Sequence, residues 1–289
     1  MSVLGQARNW VYRLRQRLLP KFMSANSFSF AMLSHPGRVR KGNEDTCAAL
    51  PEIGAFVVCD GMGGAAAGEI ASRMATEAFL KSLEPAEDAD DSPRVATPDV
   101  RLDTAIHAAN KAVFDQSRRT VNYRGMGTTL VALLLRPAKN GAATALTIAH
   151  VGDSRCYLYR ESALTLLTAD HSLVEEQVRL GELTRMEAEF HPMRNIITRA
   201  VGSQPDVEPE IRNLEPRPGD LYLLCSDGLT RELSENDIAL TIQRFQIRQN
   251  VSKPPATPPD LNDLCQTLID QANDAGGGDN ITVLILTLL

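Results

Sequence analysis

The sequence predicts an α+β protein built on antiparallel sheets. Apolar runs of strand length come in clusters, amphipathic helical stretches come in pairs between those clusters, and no strand–helix unit repeats along the chain. Nothing divides the chain into two bodies, so residues 26–289 read as one globular domain behind an extension of residues 1–25.

In the extension, Trp10, Val11, Leu14 and Leu18 have helical spacing and are interleaved with Arg8, Arg13, Arg15, Arg17 and Lys21. Such a helix could lie on an anionic membrane surface, although a locally packed extension is the simpler reading. Ser27–Leu33 alternates as a strand, and a polar loop from His35 to Asp45 follows. Ala55–Cys59 is a short apolar run bounded by glycine, which marks a buried strand. Glu69–Leu83 and Arg101–Arg119 place apolar residues on one helical face, and the acidic stretch Glu84–Asp99 between them reads as a solvated loop. Met126–Leu135, Ala143–His150, Cys156–Tyr159 and Leu164–Leu167 continue as a meander of strands. Residues 168–210 carry little strand signal, with short helices expected at Leu173–Leu180 and Thr184–Phe190. Asp220–Cys225 is a strand, and Ser234–Phe245 is a helix with Ser234 and Asp237 at capping-box spacing. After the breaker-rich Lys253–Asp260 come a last helix, Leu261–Ala272, and a last strand, Ile281–Leu286.

The net charge of −6 argues against a nucleic-acid binder, which would show a basic face. The five cysteines lie far apart without Cys-x-x-Cys spacing, so neither a zinc site nor a disulfide framework is expected. An odd number of buried-looking thiols suits a reducing compartment. No run reaches the roughly 20 apolar residues of a membrane-spanning helix, and the N-terminus lacks the apolar stretch of a secretory signal. A cytoplasmic protein is expected, with residues 1–25 the only candidate for contact with the inner face of the membrane.

Four aspartates stand at the ends of apolar strands with glycine beside them or within two residues: Asp60, Asp153, Asp227 and Asp279. One Asp-Gly pair is an ordinary turn. Four carboxylates at strand ends, if they converge, would repel one another unless a cation neutralised them, and Asp oxygens with backbone carbonyls suit Mg²⁺, Mn²⁺ or Ca²⁺.

The segments Asp60-Gly-Met-Gly-Gly64, Gly127-Thr-Thr129, Gly152-Asp-Ser-Arg155, Ser226-Asp-Gly228 and Asp279-Asn280 occur in the order found in the metal-dependent, type-2C Ser/Thr protein phosphatases. Arg40-Lys-Gly-Asn-Glu-Asp45 resembles that family's first motif, and Thr168–Leu173 with His191–Gly202 resembles the flap of its bacterial branch. The resemblance runs from about Phe28 to Leu286. It implies a sandwich of two antiparallel β-sheets flanked on both faces by helix pairs, with a flap and a metal site at one edge. It also implies hydrolysis of phosphoserine and phosphothreonine in proteins by a metal-bridging hydroxide, without a covalent intermediate. The cofactors would be two Mn²⁺ or Mg²⁺ ions. Asp60 would bridge them, the Gly61 carbonyl would join one, Glu44 and Asp45 would serve the second, and Asp227 and Asp279 would hold the first. Asp153 with Asp227 would support a third ion, and Asn280 would orient Asp279. Arg40 would clamp the phosphate, because a guanidinium fork matches two phosphate oxygens.

Arg155 is given a structural role beside carboxylates, and Thr128 and Thr129 local hydrogen bonding. Met62 stands where many eukaryotic relatives have a histidine, so the proton donor is open among a metal-bound water, His150 and His171, with a structural role favoured for each histidine. The expected partners are phosphoproteins and a cognate Ser/Thr kinase, and the expected state is a monomer. An inert relative that only binds phosphoproteins is the alternative, disfavoured because Asp60, Asp227 and Asp279 are all present; a two-metal phosphodiesterase is a third reading.

Overall fold

The computed structural model describes residues 28–84, 97–137, 143–252 and 260–289. The basic helix expected within residues 1–25 and most of the connections Glu84–Asp99 and Lys253–Asp260 lie outside them. In chain order the elements are β1 (Phe28–His35), β2 (Asp45–Leu50), β3 (Ala55–Met62), α1 (Ala65–Leu83), α2 (Pro98–Arg119), β4 (Gly127–Thr128), β5 (Leu130–Pro137), β6 (Ala143–Val151), β7 (Arg155–Arg160) and β8 (Ala163–Leu166). There follow α3 (Leu173–Arg179), α4 (Arg185–Glu189), β9 (Glu210–Leu214), β10 (Leu221–Cys225), α5 (Asp227–Thr230), α6 (Glu235–Ser252), α7 (Leu261–Ala275) and β11 (Ile281–Leu288).

The strands form two antiparallel sheets, ordered β1-β11-β10-β7-β8 and β2-β3-β5-β6-β9, with β4 beside the end of β3. Between the sheets lies a core of Phe56, Val58, Leu133, Ile148, Tyr222, Leu224 and Leu284. Phe28 and Phe30 of one sheet meet Phe56 of the other edge-on, with centroids 5.7 and 5.3 Å apart. A second core joins α1 and α2 to the outer face of β3 and β5, through Val57, Cys59, Phe79, Leu102 and Ile106. A third joins α6 and α7 to the outer face of β10 and β11, through Leu223, Ile242, Leu264, Leu268 and Ile285. The expected layers of helices, sheet, sheet and helices are therefore what the chain builds. They explain the continuous apolar strands: both faces of a central strand are buried, so neither face selects polar residues.

Boundaries moved where local signals were weak. The expected loop ends at Asp45, and Asp45-Thr-Cys-Ala-Ala-Leu50 has little β-branched character; pairing with β3 makes it a strand. β9 likewise carries little strand pattern of its own. It is a charged edge strand on β6, and charge on an edge discourages pairing with other chains. The stretch expected as one strand at Met126–Leu135 divides at Thr129 into β4 and β5. The capping box at α6 is present: Asp237 N donates to Ser234 Oγ at 3.2 Å, and Ser234 N donates to Asp237 Oδ2 at 3.3 Å.

Strand direction brings the acidic residues together. The C-terminal ends of β3 and β10 and the N-terminal starts of β2, β7 and β11 fall at the same edge of the sandwich, because their neighbours run antiparallel. The connections β1–β2 and β6–β7, which pass from one sheet to the other, cross that edge too. Gly61 is pinned between backbone on two sides. A Cβ there would collide with the Gly68 carbonyl of α1 and come within 2.7 Å of the Glu44 carbonyl.

Gly61→Ala is therefore expected to destabilise the protein by about 2 kcal/mol or more, since neither backbone oxygen can rotate away. Urea unfolding measures it; a midpoint within error of the wild-type value would show that the helix and loop yield freely.

Candidate metal centre

The edge is built strand by strand. Asp45 opens β2 and is directly opposite Asp60 near the end of β3. The Asp60 main chain is fixed by three bonds: Asp60 N donates to Thr129 Oγ1 at 2.9 Å, and Asp60 O accepts from Thr129 N and Thr128 Oγ1, both at 2.8 Å. The two threonines thus do the local bonding expected of them. Asp227 opens α5 immediately after β10, Asp153 precedes β7, and Asp279 precedes β11. The Asp60 carboxyl lies within hydrogen-bonding reach of Asp227.

These carboxyls converge in a poorly solvated place. Burial, and then the charges of Asp45, Asp227, Asp153 and Asp279, push Asp60 well above the usual carboxylate range. Burial raises Asp45 to about 7, although Thr282 Oγ1 and Ser226 Oγ donate to its Oδ2 at 2.7 and 2.8 Å. Asp153 is raised to about 7 by burial and by Asp227. Burial also raises Asp227, with Arg231 opposing. Oδ1 of each of Asp45, Asp153 and Asp227 is buried and has no hydrogen-bond donor. Buried anionic oxygens without donors cost several kcal/mol each unless a cation meets them, so this donor set fits hard divalent ions.

The other expected residues frame the nest. The Glu44 carbonyl accepts from Gly61 N at 3.1 Å and from Ser72 Oγ at 2.6 Å, and the Glu44 carboxyl, raised chiefly by burial, lies against Gly68. Arg40 Nη2 donates to Asp279 Oδ2 at 2.9 Å, with half of its side chain in solvent. The side chain of Asn280 does not hold Asp279 as the resemblance implied. Its Oδ1 accepts from Glu44 N at 2.8 Å, and its Nδ2 donates to Gly42 O at 2.9 Å and Pro36 O at 3.0 Å. It therefore shapes the β1–β2 loop, and only its backbone N donates to Asp279 Oδ1, at 2.8 Å. Arg155 grips Asp170 through Nη2 at 2.8 Å and Nε at 3.0 Å, as a residue paired with a carboxylate should.

Arg231, which lies outside the recurrent aspartate motifs, also belongs to the site. Its Nη2 pairs with Asp227 Oδ2, and its Nη1 reaches Asp279 Oδ2 at 3.2 Å. The available signal was its spacing, four residues after Asp227 on a helical turn.

His150 and His171 stack with centroids 4.7 Å apart beneath the flap, both nearly fully buried. His150 Nε2 donates to Ala169 O at 2.8 Å, while His171 Nδ1 accepts from Gly152 N at 3.2 Å and its Nε2 lies 3.3 Å from Glu210 Oε1. One ligand atom from each of His150, His171 and Glu210 lies within 4.8 Å of the others, a trio that could hold a metal ion. The hydrogen bonds already use these atoms, and Arg199 and Arg179 approach Glu210 at 4.0 and 3.9 Å, so the surroundings are positive. The pair works as a structural clamp between β6 and the flap.

Residues 38–265 match the family model for protein phosphatase 2C. The chain is 38% identical over 258 residues to the serine/threonine protein phosphatase PstP of Mycobacterium tuberculosis, covering 89% of this chain but 44% of that protein. It is 35% identical over 253 residues to the serine/threonine phosphatase stp of Listeria monocytogenes, covering 86% of this chain and 92% of that protein. The crystal structure of the PstP catalytic domain in complex with two manganese ions superposes with a TM-score of 0.73 at 34% identity, covering 91% of this chain and 99% of that one.

Burial, then the neighbouring His150 and Arg199, lower His171 from 6.5 to about 4. The folded protein thus keeps His171 neutral where the unfolded chain takes up a proton, and stability is lost as pH falls from 6.5 toward 4. Between pH 7 and pH 5 the wild type should lose about 1 kcal/mol more than His171→Gln, after allowance for solvent screening. Urea unfolding at the two pH values measures this, and equal losses in both proteins would remove His171 as the cause.

Proposed function

The chain belongs to the protein phosphatase 2C family, and we propose that it is a metal-dependent protein serine/threonine phosphatase. The observation carrying this reading is the meeting of donor-less buried carboxylate oxygens with guanidinium groups at the rim. The carboxylates call for cations, and cations plus an exposed arginine receive a phosphate. The chain spans less than half the length of the mycobacterial relative and most of the listerial one, so the assignment concerns residues 26–289 as a catalytic domain.

Asp60 would bridge two Mn²⁺ or Mg²⁺ ions. Asp227 and Asp279 would complete one site, and Glu44, Asp45 and the Gly61 carbonyl would serve the pair. Asp153 with Asp227 would take a third ion. Such ions supply positive charge for phosphoryl oxygens and lower the pKa of water. The protein's part is geometric. Thr128 and Thr129 hold the Asp60 backbone at the strand end, Ser226 and Thr282 orient Asp45, and the Asn280 side chain sets the loop that carries Arg40 and Glu44. Arg40, half exposed and already turned toward Asp279, would take two phosphate oxygens of the substrate. The buried, bonded histidines leave water as the source of the proton for the departing seryl or threonyl oxygen. The buried thiols have no role in the chemistry; burial pushes Cys47, Cys59 and Cys225 up to about 12, which keeps them protonated.

Phosphorylated proteins are the substrate class, and a Ser/Thr kinase acting on the same proteins is the counterpart. No described helix is long and apolar enough to cross a membrane. Action as a monomer in the cytoplasm is part of this proposal. The retained carboxylates favour an active enzyme over an inert phosphoprotein binder.

Asp60→Asn should reduce Mn²⁺-dependent hydrolysis of a phosphothreonine peptide at least a thousandfold. Its melting temperature in EDTA should stay equal or rise, because a buried charge is removed while the backbone bonds remain. A variant retaining a tenth of the activity would contradict the bridging role. Arg40→Ala should raise KM about tenfold with a smaller fall in kcat, the pattern of a lost ground-state contact worth about 1.4 kcal/mol; an unchanged KM would remove Arg40 from the substrate.

A further inference from the structure

The acidic nest contains a cation supplied by the protein itself. Arg231 follows the one-turn helix α5, and its backbone N donates to Asp227 O at 2.8 Å, which fixes its position relative to the aspartate. Its guanidinium spans two acidic residues, Nη2 on Asp227 Oδ2 and Nη1 at 3.2 Å from Asp279 Oδ2. Asp279 Oδ2 is also the acceptor of Arg40 Nη2, so both guanidiniums meet at one oxygen. The two differ in what lies beneath them. Arg40 is half exposed at the rim, whereas Arg231 is one-third exposed and covers Asp227, whose other oxygen is buried without a donor.

A divalent ion held by Asp227 and Asp279 would draw on the same two carboxylates that Arg231 engages, and it would bring like charge beside the guanidinium. We infer that Arg231 is a built-in counter-ion that competes with the divalent cation for Asp227 and Asp279 and so sets the concentration at which the site fills. This rests on the phosphatase reading above. The physics gives the residue opposite effects on the two forms of the protein. With the ion chelated, the guanidinium neutralises crowded carboxylates and stabilises the fold. With the ion bound, that service is redundant and its charge opposes the occupant. The exposed third of the side chain gives it a path toward solvent when the ion enters.

The test uses Arg231→Gln, which keeps hydrogen-bonding capacity without the charge, and Arg231→Ala. Titration of the chelated protein with Mn²⁺ by calorimetry should give a Kd about tenfold tighter in both variants. Melting should show both variants less stable than wild type in EDTA and equal to it in saturating Mn²⁺. Arg231→Lys, a point charge without the fork, should fall between wild type and Gln in Kd. An unchanged or weaker Kd in the Gln and Ala variants overturns the inference. So does equal destabilisation with and without Mn²⁺, which marks a merely structural arginine. Absence of Mn²⁺ binding by the wild-type chain sinks the phosphatase reading and this inference with it; binding by wild type with unaltered Kd in the variants sinks the inference alone.

Discussion

Like charges held together in a place where water cannot screen them are the constraint on which this molecule depends. Asp45, Asp60, Asp153 and Asp227 each end or begin an apolar strand, and burial raises all of them above the ordinary carboxylate range. A chain gains nothing in stability from such a cluster, since each desolvated carboxylate is a cost. The surrounding structure is accordingly arranged to hold the cluster in spite of that cost. Ser226 and Thr282 donate to Asp45, Thr128 and Thr129 bind the Asp60 backbone, and Arg231 covers Asp227.

The stability that supports this cost lies in the three apolar layers. Each central strand is buried on both faces, so β3 contributes Phe56 and Val58 to the core between the sheets and Val57 and Cys59 to the core under α1 and α2. Fully burying a large aliphatic or aromatic side chain is worth about 1.5–3 kcal/mol, so a few such residues offset one strained carboxylate. The same layers give the site its rigidity. Strands clamped on both faces cannot slide by one residue without exchanging the two cores, and the positions of Asp45 and Asp60 are therefore locked across their shared register.

Polar detail around the nest divides between backbone control and charge control. Asn280 sits between the last strand and the β1–β2 loop, and its amide bonds three main-chain groups of that loop, Glu44 N, Gly42 O and Pro36 O. The loop carries Arg40 and Glu44, so one buried amide sets the position of a guanidinium at the rim and a carboxylate beside the metal ligands. The histidine stack plays the corresponding part on the flap side: His171 receives Gly152 N and returns its own N–H to Gly152 O at 3.0 Å, joining the turn before Asp153 to the flap.

Much of this was legible in the residues alone. The apolar runs of β3, β10 and β11, the helical faces of α2 and α7, the Ser234–Asp237 cap and the recurrence of aspartate at strand ends are short-range patterns, because period and turn chemistry act within a few residues. What only the tertiary structure decided depends on partners distant in sequence. β2 becomes a strand because β3 lies beside it, and β9 because β6 offers an edge; neither has enough β-branched character of its own. Asn280 turned from its neighbour Asp279 to a loop more than 230 residues away, and Arg231 acquired Asp279, 48 residues away, as well as Asp227. Spacing along the chain determines which side chains share a face, but which charges share a poorly solvated space is settled only when the sheets pack and exclude the water between them.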